Sequence, residues 1–155
     1  RRTVQQLQVE LKALRSGPKP AKVVLANGCF DVLHAGHASL LRRAAELGDY
    51  LVVAINDDAS VKKLKGPERP IYNVDDRALL LGELGCVAAV VVFSEDTPEQ
   101  LIHAISPDVL VKGNQYDPDT IPGAAFVKSH GGTVALLDVV PGRSTTSTVA
   151  KIKAK

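Results

Sequence analysis

Apolar positions along this chain follow a helical period once and then break into short dense runs. At residues 3–15, Val4, Leu7, Leu11 and Leu14 share one helical face among glutamine, glutamate and lysine, and Ser16-Gly17-Pro18 ends the helix. From Lys22 onward, valine-rich runs at 22–26, 50–55, 87–93, 108–111 and 133–137 predict strands. They show little polar alternation, which suits strands covered by helices on both faces. Helical stretches at 35–47, 75–84, 98–105, 123–129 and 145–153 lie between and after them.

The order βαβαβαβαβα predicts an α/β architecture, Rossmann-like: a doubly wound five-stranded parallel sheet with helices on both faces and right-handed crossovers. In such a sheet ligands bind beyond the carboxyl ends of the strands, where the strand order reverses, so function is sought in the loops that follow strands. Residues 1–18 form an amphipathic helix or linker ahead of the domain. The helix either packs on that domain, forms a dimer contact, or ends a linker from an upstream domain.

Composition narrows the picture. A chain of 155 residues with 45% apolar and 23% charged positions suits one globular domain with a core of its own. Its 19 basic and 17 acidic residues give a net charge of +2 without a polybasic stretch, which argues against nucleic-acid binding. No apolar run reaches membrane-spanning length, so no membrane partner is expected. Cys29 and Cys86 form no Cys-x-x-Cys pair and read as reduced thiols, which favours the cytoplasm. The chain begins at Arg1 and contains no methionine, as a processed product or a fragment would.

Candidate chemistry concentrates after the first strand, in Asn27-Gly28-Cys29-Phe30-Asp31-Val32-Leu33-His34-Ala35-Gly36-His37. There is no Gly-x-Gly-x-x-Gly here and no Gly-Lys-Ser/Thr anywhere, which removes the usual dinucleotide and P-loop readings. What remains is His-x-Gly-His at the opening turn of a helix. Three-residue spacing puts both imidazoles on one side, free N–H groups and the helix dipole point the same way, and Gly36 leaves room for a phosphate. Donors arranged so can meet growing negative charge. Two histidines that merely cap or pack are the plain alternative. Zinc, with Cys29 or Asp31 as third ligand, is another, but a tetrahedral site wants more committed ligands than this loop offers.

The loop from Asn27 to His37 resembles the signature of the cytidylyltransferase-like nucleotidyltransferase superfamily. Within it the chain is most similar to the D-glycero-β-D-manno-heptose 1-phosphate adenylyltransferases, often the second half of a bifunctional heptose kinase/adenylyltransferase. Collinear segments carry the likeness through residues 20–153: Ala54-Ile55-Asn56-Asp57-Asp58-Ala59-Ser60, Leu64-Lys65-Gly66-Pro67-Glu68-Arg69-Pro70, Asp76-Arg77, Asp96-Thr97-Pro98, Pro107 to Gly113, and Gly142-Arg143-Ser144-Thr145-Thr146. The resemblance implies a nucleotidyltransferase domain over 19–155 that makes an ADP-sugar, of the ADP-heptose type used for lipopolysaccharide core.

Roles follow from that resemblance. His34, His37, Lys65 and Arg77 are expected to be catalytic. Gly28, Cys29, Phe30, Asp31, Gly36, Lys112, Gly113, Ser144, Thr145 and Thr146 are expected to bind the nucleotide, and Asn56, Asp58 and Arg69 the acceptor. Lys65 and Arg69 read as lying in a Gly/Pro-bearing loop after strand two. A local ion pair with Asp75 or Asp76 is the plain account of Arg77, a helix cap that of Asp58, and His103 and His130 read as structural. The expected partners are ATP with Mg2+, a sugar phosphate, a second copy of the chain, and a sugar kinase, fused or separate. No protein metal cage is expected. A cytidylyltransferase acting on glycerol 3-phosphate or a related polyol phosphate is the rival enzyme, and a non-catalytic nucleotide-binding module the rival class. One departure bears on the acceptor: after Val-Lys-Gly the family continues with glycine, an acid and tyrosine, whereas here Asn114-Gln115-Tyr116 follow and Asp117 comes one place late.

Overall fold

The computed structural model describes residues 1–154; Lys155, the last residue of the expected domain, lies outside the described residues. Five strands run β1 Val23–Gly28, β2 Tyr50–Asn56, β3 Ala89–Phe93, β4 Val109–Gly113 and β5 Thr133–Leu137. All pair in parallel in the order β3-β2-β1-β4-β5. The order reverses between β1 and β4, so the doubly wound sheet expected from the valine runs is the sheet observed.

Alternate strand residues face opposite ways, and each set meets its own helices. Leu25, Val52, Ala54, Val91 and Leu110 join Leu101, Ile102 and Ile105 of α5 (Glu99–Ile105) and Val127 of α6 (Ala124–Ser129). Val24, Ala26, Val53, Ile55 and Val111 join Leu41 and Ala44 of α2 (Ala35–Ala45) and Ala78 and Leu81 of α4 (Val74–Gly82). Helix α1 (Val4–Arg15) packs on the first of these faces, sinking Leu7 and Leu11 into the same core as α5. A Thr3–Gln6 capping box starts it. The last helix, α7 (Thr145–Lys153), buries none of its residues.

One helix was not expected. Residues Asp58–Lys65 form α3, so Lys65 closes a helix rather than lying in an open loop. Only Ser60 and Val61 of this helix are buried, so no apolar period announces it. It is held instead by its start, where the Asp57 side chain accepts from the Ser60 N–H, and it stops at Gly66, whose φ of 105° suits glycine.

Candidate active site

A cavity of about 540 Å³ opens at the carboxyl ends of the strands, centred on the β1/β4 reversal. Most of the expected site residues line it: Gly28, Cys29, Phe30, Asp31, His34, Gly36, His37, Asn56, Lys65, Arg69, Lys112, Gly113, Ser144, Thr145 and Thr146.

The histidine pair is built by the start of α2. His34 is the N-cap, and its Nδ1 accepts the Gly36 N–H at 3.1 Å. A neutral His34 must then carry its proton on Nε2, which leaves that nitrogen a donor. The His37 ring stacks on it, with centroids 3.8 Å apart and planes 21° from parallel, and Phe30 tilts against His37 from beyond. His34 thus caps the helix, as the plain alternative has it, and also lines the cleft. Burial pushes the His37 pKa down to about 4, with the neighbouring His34 adding to the fall. Burial and then Arg143 lower that of His34. Both shifts favour the neutral imidazoles, which serve as hydrogen-bond donors rather than cations. The Nδ1 of His37 and the Oδ1 of Asn27 are buried without a protein partner, two polar atoms beside the cleft that still have hydrogen-bonding capacity.

Gly36 earns its place by contact. A Cβ there would lie 2.8 Å from His34 Cε1 and 3.2 Å from Arg143 Cβ. Positive charge comes from around the pair. Lys112, next to last in β4, has its ammonium 4.9 Å from the Tyr116 ring centroid, and burial lowers its pKa. Cys29 keeps its proton, because burial raises the thiol above its ordinary value. Ser144 caps α7 through the Ser147 N–H and the Thr145 hydroxyl donates to the Asp31 carbonyl, so two of the three hydroxyls already have protein partners.

Three expectations change with the tertiary structure. Arg77 is 1% exposed and absent from the cavity wall. Its guanidinium donates to the Cys29 carbonyl at 2.8 Å, the Tyr72 carbonyl at 3.0 Å and Asp58 at 2.7 Å, so it braces the loop from behind instead of pairing with Asp75 or Asp76 or facing phosphate. Asp58 is that arginine's partner and does not line the cavity. The Asp31 carboxylate reaches no open space: it accepts from Arg69 Nε, the Ile71 N–H and the Tyr72 N–H. Burial alone would raise its pKa, yet those three donors hold it low.

Arg143, Gln115 and Tyr116, to which the sequence assigned no role in the site, also line the cavity. Arg143 stands in the Gly-Arg-Ser-Thr-Thr segment beside three hydroxyls. Gln115 folds over Gly113, so that a Cβ there would collide with its Oε1. Asn114 donates to Asp138, and Asp117 accepts from the Asp119 N–H in its own turn, away from the cavity wall. His103 and His130 pack against Phe126 and do not line the cavity. Among the described residues, no group of three His, Cys, Asp or Glu side chains could hold a metal ion, and no helix is long and apolar enough to cross a membrane.

Comparison with known proteins places this geometry. A family model described as cytidylyltransferase-like matches residues 25–131. The bifunctional protein HldE of Syntrophotalea carbinolica is 52% identical over 130 residues, 84% of this chain and 26% of that protein. HldE of Azotobacter vinelandii is 54% identical over 132 residues, 85% of this chain and 28% of that protein. The chain therefore spans about a quarter of the length of these curated relatives. Among solved structures, a lipopolysaccharide core biosynthesis protein from Thermoplasma volcanium superposes with a TM-score of 0.65 at 26% identity, over 77% of this chain and 97% of that one. A pantoate-beta-alanine ligase from Francisella tularensis, at 12% identity and a TM-score of 0.58 over 94% of this chain and 68% of that one, shares the fold.

Proposed function

The chain belongs to the cytidylyltransferase-like family of nucleotidyltransferases, and from that premise we propose that it transfers AMP from ATP to a sugar 1-phosphate and releases pyrophosphate. The acceptor is D-glycero-β-D-manno-heptose 1-phosphate and the product an ADP-sugar. The observation that carries this reading is the stacked His34–His37 pair at the start of α2, set in a cleft that also holds Lys65, Lys112 and Arg143.

The chemistry asks little of the protein beyond position and charge. A sugar phosphate is already a dianion near neutral pH, since its second pKa is about 6, so no general base is required. A phosphate oxygen of the acceptor attacks the α-phosphorus in line; the bond from that phosphorus to the bridging oxygen breaks, and pyrophosphate leaves with the electron pair. His34 and His37 donate to phosphate oxygens as charge shifts, Lys65, Lys112 and Arg143 offset the charge on acceptor and leaving group, and Ser144, Thr145 and Thr146 hold the triphosphate at the start of α7. Arg69 and Asn56 lie on the acceptor side. Mg2+ supplies further charge neutralisation when bound with ATP. The Asp31 and Asp58 carboxylates pair with Arg69 and Arg77, so the ion would rely on the triphosphate and water rather than on these carboxylates.

The relatives' name supports a second activity in the rest of those proteins, which fits a sugar kinase that supplies the acceptor, fused or separate. A homodimer in the cytoplasm completes the proposal. Pyrophosphate release tests it, with ATP or CTP and magnesium against a panel of sugar 1-phosphates and polyol phosphates. Release with ATP and the heptose phosphate is the expected result. Release only with CTP and glycerol 3-phosphate assigns the rival transferase, and nucleotide binding without release assigns a non-catalytic module.

A further inference from the structure

Asp31 stands between the two walls of the cleft and touches both. Its carboxylate accepts from Arg69 Nε and the Ile71 N–H at 2.7 Å each and from the Tyr72 N–H at 2.9 Å. Its backbone carbonyl accepts the Thr145 hydroxyl at 2.6 Å, in the first turn of α7. The residues on either side, Phe30 and Val32, have φ of 48° and 51°. That left-handed region suits few L residues, and a β-branched valine least of all. The two turns aim the side chain and the carbonyl of Asp31 at different neighbours, and contacts around the segment hold a backbone that would otherwise relax. Helix α7, which buries no residue, depends on such polar ties; at its other end Lys153 pairs with Glu68, again on the 66–72 loop.

We propose that Asp31 is a positioning residue that couples the two halves of the site: a ligand held at Ser144–Thr146 steadies the 69–72 loop through Asp31, and a ligand on that loop steadies α7 in return. Coupling of this kind is reciprocal. The identity of the two ligands rests on the adenylyltransferase reading; the tie between loop and helix does not.

Two experiments test it. In the ligand-free protein, Thr145→Val removes only the hydroxyl on the Asp31 carbonyl. Hydrogen exchange of the Ile71 and Tyr72 amides, which Thr145 does not touch, is expected to speed up at least about fivefold, the lower end of ordinary coupling. Unchanged exchange at those two amides overturns the proposal. In the second experiment the affinity of α,β-methylene-ATP with magnesium is measured with and without D-glycero-β-D-manno-heptose 1-phosphate. Wild type is expected to bind the analogue at least about fivefold tighter with the sugar phosphate present, and Asp31→Asn to bring that ratio close to one. The same ratio in both proteins overturns the proposal. If wild type binds no nucleotide at all, the adenylyltransferase reading fails, and the exchange measurement still decides the coupling.

Discussion

Gly36→Ala separates the site's contribution to stability from its contribution to chemistry. The new methyl would sit 2.8 Å from His34 Cε1 and 2.9 Å from its Nδ1, too close for either to remain, and 3.2 Å from Arg143 Cβ. Of these neighbours the His34 ring yields most easily, because it is only half-buried and can swing toward solvent. Its departure breaks the 3.1 Å cap to the Gly36 N–H, a loss of about 1 kcal/mol. Against this, alanine is the better helix former by up to about 1 kcal/mol and also restricts the unfolded chain. The opposing effects are similar in size, so the melting temperature should move by only a few degrees, at roughly 2–4 °C per kcal/mol for a chain of this length. Turnover should not be spared. Moving His34 removes a donor from the phosphate site, and one such donor is worth roughly 10²–10³ in rate. Thermal unfolding and pyrophosphate release, measured on the same preparation, give both numbers. A variant that melts like wild type and turns over like wild type would refute the placement of His34 against the reacting phosphates.

Other predictions test neighbouring parts of the account. Arg77→Met leaves the Cys29 and Tyr72 carbonyls and Asp58 without their donor, so it should destabilise by about 3–5 kcal/mol and lower the melting temperature by roughly 6–20 °C; a shift of a degree or two would mean that Arg77 is not the brace described. His37→Ala should stay folded by circular dichroism while pyrophosphate release falls by roughly 10²–10³, and a near-normal rate would remove His37 from the mechanism. The depressed pKa of His37 also sets a pH dependence. The ring takes up its proton near 6.5 in the unfolded chain but only at about 4 when folded, so between those values the unfolded state binds more protons. Its stabilisation is whole above about pH 6.5 and drains away as pH falls toward 4. Urea midpoints at pH 7 and pH 5 should differ more in wild type than in His37→Gln, and equal differences would contradict the assignment.

The strands were legible because burial on both faces demands dense apolar runs, and Val23–Ala26, Leu51–Ile55 and Val90–Val92 supply them in plain view. Helix α3 was not, since capping by Asp57 and a single buried valine leave no periodic trace. The position of the histidine pair followed from its place after β1, and its stacking and tautomer did not, because the one depends on how Phe30 and His34 lie against His37 and the other on the Gly36 N–H that His34 Nδ1 accepts. Arg77 and Asp31 show the sharper limit. A sequence presents a cation and a carboxylate near a phosphate site, whereas their partners at Cys29, Tyr72 and Arg69 lie 38 to 48 residues away or on a loop whose path only the fold determines. Arg143 is illegible for a simpler reason: the three adjacent hydroxyls account for its segment without a cation.

The most direct test of the central claim is a crystal structure of the protein with α,β-methylene-ATP and magnesium. The account places triphosphate oxygens within hydrogen-bond reach of the imidazole nitrogens of His34 and His37, with Lys112, Arg143 and the start of α7 around them. Imidazoles found ligating a metal ion, or a nucleotide seated away from the start of α2, would contradict it.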